Sequence, residues 1–385
     1  MRIRRKRETL LVNFWYAHPV GHAIEALRYC LGYHRADPSL RLSLLLNAAT
    51  AVELADFCPF VERAYPVSFT GFHDGSTDPA PALRSVPRDW DYVVDDHRGH
   101  EPDQLHRFAG LRRFYEASAA HFHARRFHGT AGSEPPAYEP HHQLRLELPA
   151  DTRELAQDRL GGGTAWIAVM PAGGTDARYA YPSVASWELI LGELRASLGA
   201  SFCFIGRLRR DERSRTTLER RELDRLLASF PGSIDAFDRP LVEQLALVQA
   251  CALFLSPHTG FGMAALSVGT PWLTLSGGRW PEYFFNGVPF HSVLPDAGDD
   301  GWYSLHDPPP ALPADEDGEG PRTPSMTVAR IRRDLPELVE AAELLVGRRL
   351  SYDEALRAHF EGRLARSPED ASWIWSVDGI HTQYV

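Results

Sequence analysis

Short apolar runs alternate with helix-length amphipathic segments along most of this chain, and that alternation restricts the folds open to it. A strand of four to seven mostly apolar residues has no polar face, so it must be covered on both sides, as in a parallel sheet. "TLLVNFW" (Thr9–Trp15) is the first such run, and "YAHPVGH" follows it as a loop. The spacing of Ile24, Leu27 and Leu31 predicts a helix over Ala23–His34. "RLSLLLN" (Arg41–Asn47) reads as the next strand and Ala48–Phe57 as the next helix. "ERAYPV" and Asp89–His97 give two more strands. Leu105–Phe127 carries a helical period, Gly129–Gln143 is rich in turn residues, and Asp151–Leu160 reads as a helix. Strand and helix in regular alternation predict an α/β fold with doubly wound parallel sheets.

"GGGT" (Gly161–Thr164) interrupts the pattern, and a second alternation begins after it. Strands are predicted at Ala165–Pro171, Ser201–Gly206, Ala252–Ser256 and Pro271–Gly277. Helices are predicted at Ser183–Gly199, with Ser183 as its cap, at Leu241–Cys251 and at Gly262–Val268. The expected organisation is two Rossmann-like domains facing a cleft, 1–160 and 161–345, with a helical tail over 346–385 packing back on the first. Asp296–Ser325 is acidic and rich in Pro and Gly, which suits a surface excursion, and Ile331–Arg366 reads as two helices. Sheets of this kind bind ligands beyond the carboxyl ends of their strands.

Composition narrows the function. The net charge of −10 and the lack of a large basic block argue against nucleic acid as a partner. Lys6 is the only lysine, so any phosphate clamp must use arginine or backbone N–H groups. Cys30, Cys58, Cys203 and Cys251 sit in apolar stretches without CxxC spacing, which reads as buried free thiols in a reducing compartment. No apolar run reaches the ~18 residues of a membrane span. The start of the chain is charged rather than signal-like, and the expected location is the cytoplasm. His121–His123 and His141–His142 lack a carboxylate or Cys partner at a metal-binding spacing.

"SPHTGFGMAALSVGTP" (Ser256–Pro271) is the most chemically suggestive stretch. Pro257 stops a strand, and His258, Thr259 and Gly260 turn the chain into a helix. A helix N-terminus presents unpaired N–H groups and partial positive charge, which attract phosphate. Gly260 and Gly262 allow close approach of the backbone, and Thr259 and His258 add donors. The competing reading is a plain strand–helix turn. Gly173, Gly174 and Thr175 follow another strand end, with Arg178 just beyond. Arg279, Trp280 and Glu282 lie after the Pro271–Gly277 strand, where an aromatic ring and a carboxylate suit a sugar or nucleoside, and Arg207 follows Ser201–Gly206. In the first half, His22 or His18 can act as a base, because imidazole titrates near neutral pH. Glu25 lies one turn after His22 and can orient it. Asp95 and Asp96 end a strand, at the edge where an acceptor would bind.

The segment "LVEQLALVQACALFLSPHTGFGMAALSVGTPWLTLSGG" resembles the heptosyltransferase family of GT-B glycosyltransferases. Thr259, Gly260, Ala264, Ala265, Gly269 and Pro271 fall at that family's spacing. "MPAGGTDARYAYPSVASWELILGELRASLGASFCFIG" and "DWDYVVDDH" resemble further family segments. The resemblance spans roughly Thr9 to Pro295 and is strongest from Trp166 to Gly278. His258 stands where the family has Asp. Arg178 is the nearest basic residue to the family's lysine. Gly21–His22 stands where the family has Gly-Asp, whose Asp resembles a general base.

The resemblance implies an inverting, metal-independent transfer of sugar from a nucleoside-diphosphate sugar to a small-molecule or glycan acceptor. The nucleotide sugar is then a co-substrate, and no resident cofactor is implied. His258–Phe261, Gly173, Gly174, Thr175 and Arg178 would hold the diphosphate, and His22 would act as base. Two alternatives share the architecture: a nucleotide-sugar epimerase and a catalytically silent nucleotide-sugar-binding protein. A dinucleotide-dependent oxidoreductase is poorly supported, since no GxGxxG follows the first strand.

Overall fold

The computed structural model describes residues 7–16, 19–162, 165–174, 177–209, 213–275, 285–295, 312, 314–366 and 383. His18, Thr175, Arg279, Trp280 and Glu282 lie outside the described residues. The chain divides into two compact units, Met1–Glu147 and Leu148–Val385.

In the first unit the elements run β1 (Thr9–Phe14), α1 (Val20–Ala36), β2 (Arg41–Asn47), β3 (Val61–Val67), α2 (Ala80–Leu83), β4 (Asp89–Asp95), α3 (Pro102–Arg107), α4 (Ala109–His121) and β5 (His123–Thr130). The strands form one parallel sheet in the order β3-β2-β1-β4-β5. β1 lies inside this sheet with Leu10, Leu11, Val12 and Phe14 buried, as its mostly apolar run requires. Trp15, just beyond β1, is fully buried and stacks on Phe114 of α4 at 4.1 Å between ring centres. Strand order reverses between β1 and β4, so a crevice is expected at their carboxyl ends.

Two expectations change here. Ala48–Phe57 is not an α-helix; only Val52–Phe57 coils, as a 3-10 turn. The Asn47 side chain accepts the Ala49 N–H at 2.9 Å and fixes the chain in a turn first. The helix expected over Leu105–Phe127 breaks at Phe108 and ends at His121, and His123–Thr130 pairs with β4 as an edge strand. Its residues are all exposed or half-buried, so no apolar alternation marks it, and pairing with β4 overrides the helical period.

The second unit runs α5 (Ala150–Leu160), β6 (Trp166–Val169), α6 (Val184–Leu198), β7 (Ser201–Phe204), α7 (Arg220–Ser229), β8 (Ile234–Asp235), α8 (Leu241–Ala250), β9 (Leu253–Pro257), α9 (Gly260–Ser267), β10 (Trp272–Leu275), β11 (Phe290–Val293), α10 (Val328–Val346) and α11 (Tyr352–Arg366). Its parallel sheet has the order β11-β10-β9-β6-β7-β8, which places the reversal between β6 and β9. α6 starts where Ser183 accepts the Ser186 N–H at 3.1 Å and ends at Gly199 in the left-handed region, φ 61°. Trp187, Ile190, Leu191 and Leu194 of α6 meet Ile331, Leu338, Ala342 and Leu345 of α10 in one core over the sheet. α11 packs against β11. Among the described residues, no helix is long and apolar enough to cross a membrane.

Candidate functional site

The first cluster forms at the strand-order reversal of the first sheet. Pro19 fixes the chain entering α1, so His22 falls in the first turn of that helix rather than in a loop. His22 Nδ1 lies 3.2 Å from Glu25 Oε2, and His22 stays partly exposed while Glu25 is buried. Its ring meets Tyr16 edge to face at 5.2 Å. Arg98 reaches across from the end of β4. Its Nη2 donates to both Glu25 oxygens, at 2.9 and 3.2 Å, and its Nη1 donates to Asp96 at 3.2 and 3.3 Å. The guanidinium also lies 5.1 Å from the Tyr16 ring centre.

This is a buried charge network of one cation and two carboxylates. Burial pushes the Glu25 carboxyl upward, but the Arg98 guanidinium and the His22 hydrogen bond outweigh it and hold the group at about 2. Asp96 is fully buried, and desolvation raises its carboxyl despite Arg98. The two carboxylates sharing Arg98 thus differ: Glu25 is held as the anion and Asp96 is the group pushed toward neutrality.

Asp95, the last residue of β4, faces a different set. Its Oδ1 accepts from Asn13 Nδ2 at 2.7 Å, and its Oδ2 lies 2.9 Å from His128 Nε2. His100 Nε2 approaches the same oxygen at 3.5 Å. Burial works against ionisation, but the hydrogen bonds from His100 and His128 keep the Asp95 carboxyl below its usual range. In turn, Asp95 raises His100.

The structure therefore brings together His22, Glu25, Asp95 and Asp96, all of which the sequence singles out. Arg98, His100 and His128 were not singled out. A signal existed for Arg98: two carboxylates ending an apolar strand need a nearby cation to be buried.

The second cluster forms at the reversal of the second sheet. β9 ends at Pro257, His258 N–H bonds to Leu275 O at 2.8 Å, and Thr259 is the N-cap of α9 in extended conformation. The first N–H groups of a helix have no partner within it. The Thr259 side chain does not cap them. Its residue is 7% exposed, and its hydroxyl has no hydrogen-bond partner among the described residues. A buried, unpartnered hydroxyl beside a helix N-terminus is a feature that a bound anion would complete. Gly262 has a structural cause of its own: a Cβ there would lie 2.2 Å from the Trp272 ring.

The loop after β6 carries Gly173 and Gly174 to the same edge. A Cβ on Gly173 would stand 2.5 Å from the Tyr181 hydroxyl, and one on Gly174 would stand 3.1 Å from Ser214 Cβ. Packing thus accounts for Gly173 without a ligand. Arg178 is half-exposed and already committed: Nη1 is 3.3 Å from Glu219 Oε1, and Nη2 bonds Glu222. Those carboxylates form the capping box of α7, a helix the sequence reading passed over because its segment is mostly charged. Arg207 N–H bonds the Thr216 hydroxyl at 3.0 Å, which pins the loop after β7. The paired histidines play structural parts: His121 Nε2 meets Val86 O at 3.0 Å, and His142 pairs with Glu139 at 3.0 Å.

No protein-family model matches the chain, and no curated protein sequence does. Solved structures do. The chain is similar to a glycosyl transferase family 9 protein from Veillonella parvula, with TM-score 0.58, 12% identity, and 89% of this chain and 98% of that chain covered. It is also similar to E. coli ADP-heptose LPS heptosyltransferase II, with TM-score 0.52, 13% identity, and 87% and 99% covered. E. coli heptosyltransferase WaaC, solved with ADP, matches with TM-score 0.52, 14% identity, and 87% and 99% covered. With its two parallel-sheet α/β units, the chain shares the fold of these glycosyltransferases.

Proposed function

We propose that this protein is a glycosyltransferase that moves a sugar from a nucleoside-diphosphate sugar to a small-molecule or glycan acceptor. The observation that carries the reading is the His22–Glu25 pair, with Glu25 held ionised by the buried Arg98. An ionised Glu25 accepts a hydrogen bond from Nδ1–H of His22. That fixes the tautomer and leaves the lone pair on Nε2 for an acceptor proton. Likeness of fold to glycosyltransferases supports the same reading.

In the proposed reaction, the acceptor hydroxyl gives its proton to His22 Nε2 while its oxygen attacks the anomeric carbon. The bond from that carbon to the diphosphate oxygen breaks, and the electron pair leaves with the nucleoside diphosphate. One displacement inverts the anomeric centre. The N–H groups at the start of α9 and the Thr259 hydroxyl meet the leaving diphosphate's charge, and the step is proposed to need no metal.

The test is a thermal-shift and product assay without metal, using ADP, UDP, GDP and dTDP sugars and their free diphosphates. A ligand at 100 times its dissociation constant stabilises by about 2.7 kcal/mol. The expected result is a shift with one nucleotide class and sugar transfer only when acceptor is present. Product formed from the nucleotide sugar alone, as in an epimerase, would contradict the proposal. So would binding with no turnover for any acceptor tried.

A further inference from the structure

The acidic turn that precedes α10 holds a cation with no carboxylate bonded to it among the described residues. Ala314 bridges to Pro321, and the intervening turn carries Asp315, Glu316, Asp317 and Glu319. Arg322 follows directly and is 4% exposed. Its Nη1 donates to its neighbour's carbonyl, Pro321 O, at 2.9 Å, and its Nε is buried with no partner among the described residues. Thr323 is 1% exposed, and its hydroxyl is likewise without a partner among the described residues. A buried cation and a buried hydroxyl are costly to leave unpaired.

Three of the surrounding carboxylates have partners elsewhere. Asp315 accepts the Val328 N–H at the start of α10, at 3.0 and 3.3 Å. Glu319 accepts the Val184 N–H at the start of α6, at 3.1 Å, and pairs with Arg225 at 2.9 Å. Asp317 Oδ1 accepts the Glu319 N–H at 2.8 Å, while its Oδ2 is buried without a partner among the described residues and acts on Arg322 only through its charge. Glu316 pairs with Arg332 at 3.0 Å. Burial lowers Arg322, although the negative charge of Asp317, Glu319 and Asp315 works the other way.

The place of this pair in the fold suggests its ligand. Thr323 N–H bonds to Tyr179 O at 2.8 Å, next to Arg178, and Glu319 touches the first turn of α6. The segment therefore lies along the chain that joins β6 to α6, at the carboxyl edge of the second sheet, where a nucleotide is expected. We propose that Arg322, together with the Thr323 hydroxyl, binds a phosphate of the nucleoside-diphosphate donor. This rests on the donor-binding reading above and moves the main phosphate cation from Arg178, which has carboxylate partners, to Arg322, which has none among the described residues. An arginine at this position supplies a planar set of donors suited to phosphate oxygens.

The test is calorimetric titration of the full-length protein with ADP, UDP, GDP and dTDP, and with the matching nucleosides. The variants are R322Q, R322K and R178Q, with folding checked by circular dichroism and thermal unfolding. The expected result is at least a 10-fold loss of diphosphate affinity in R322Q, a smaller loss in R322K, and no change in nucleoside affinity. Diphosphate affinity unchanged in folded R322Q would overturn the assignment. It would leave Arg322 as the counter-charge of Asp317. In that case R322Q and D317N would be coupled in stability while binding stayed constant. If R322Q does not fold, R322K decides alone: affinity equal to wild type overturns the proposal. A wild-type protein that binds none of the diphosphates overturns both this assignment and the proposed function, whereas binding that survives R322Q overturns only the assignment.

Discussion

The two sheets present different chemistry at equivalent places. At the reversal in the first sheet stand three buried carboxylates, one buried arginine and a ring of histidines. At the reversal in the second stand a helix N-terminus and a hydroxyl with no partner among the described residues, and the first turn of α9 has no charged residue. A network that fixes protonation states suits proton transfer. Oriented N–H groups suit a permanent anion, which needs no proton to be moved. Two units of one architecture thus differ in the residues at their strand ends.

The largest expected effect falls on the first unit. His22→Ala should lower turnover by about 10²–10⁴-fold, the usual contribution of general acid–base catalysis. Diphosphate affinity should stay within about 2-fold, which a binding titration checks. Glu25→Gln should follow. It leaves Arg98 with a neutral partner and removes the anion that orients His22, and a turnover loss of about 10–100-fold is expected in a steady-state assay.

Glu25 also makes a pH prediction. Its folded carboxyl is depressed, from an ordinary 4.5 to about 2. Its stabilising contribution is therefore complete above about 4.5 and is lost as pH falls through about 2. The Glu25→Gln protein should be the less stable at pH 7, and the gap should close as pH drops toward 2. Asp96, raised by burial, acts in the opposite sense. Chemical denaturation of both proteins across pH 2–7 measures the difference, and a gap that stays constant would remove Glu25 from the ionised role.

Smaller effects are expected on the second unit. Thr259→Val keeps the shape and removes the hydroxyl, so diphosphate affinity should fall about 5–10-fold, the net worth of a typical hydrogen bond. Turnover at saturating donor should be nearly unchanged. Arg178→Gln should do least, within about 3-fold, because its half-exposed pairs with Glu219 and Glu222 already occupy it. A loss from Arg178→Gln larger than that from Thr259→Val would reverse the order of the two sites' donors.

Much of this was legible in the sequence. The short, mostly apolar runs of β1, β2, β4, β6 and β9 announced buried strands, and Ser183 with Gly199 bracketed α6. His22, Glu25, Asp95 and Asp96 could be placed at one sheet edge because strand–helix alternation fixes which ends of the strands share a side. What escaped had local signals too weak to compete. β5 is an edge strand of mostly polar and basic residues, and α7 is a surface helix announced only by Glu219 and Glu222. Arg98 and Arg322 owe their significance to burial, which no local pattern of arginines reveals.

The division of labour between the sheets is the central claim, and one titration tests it most directly. Wild type, His22→Ala and Thr259→Val are titrated calorimetrically with the free diphosphate that wild type binds. The account predicts near-wild-type affinity for His22→Ala and a 5–10-fold loss for Thr259→Val. Equal losses in the two variants would contradict it.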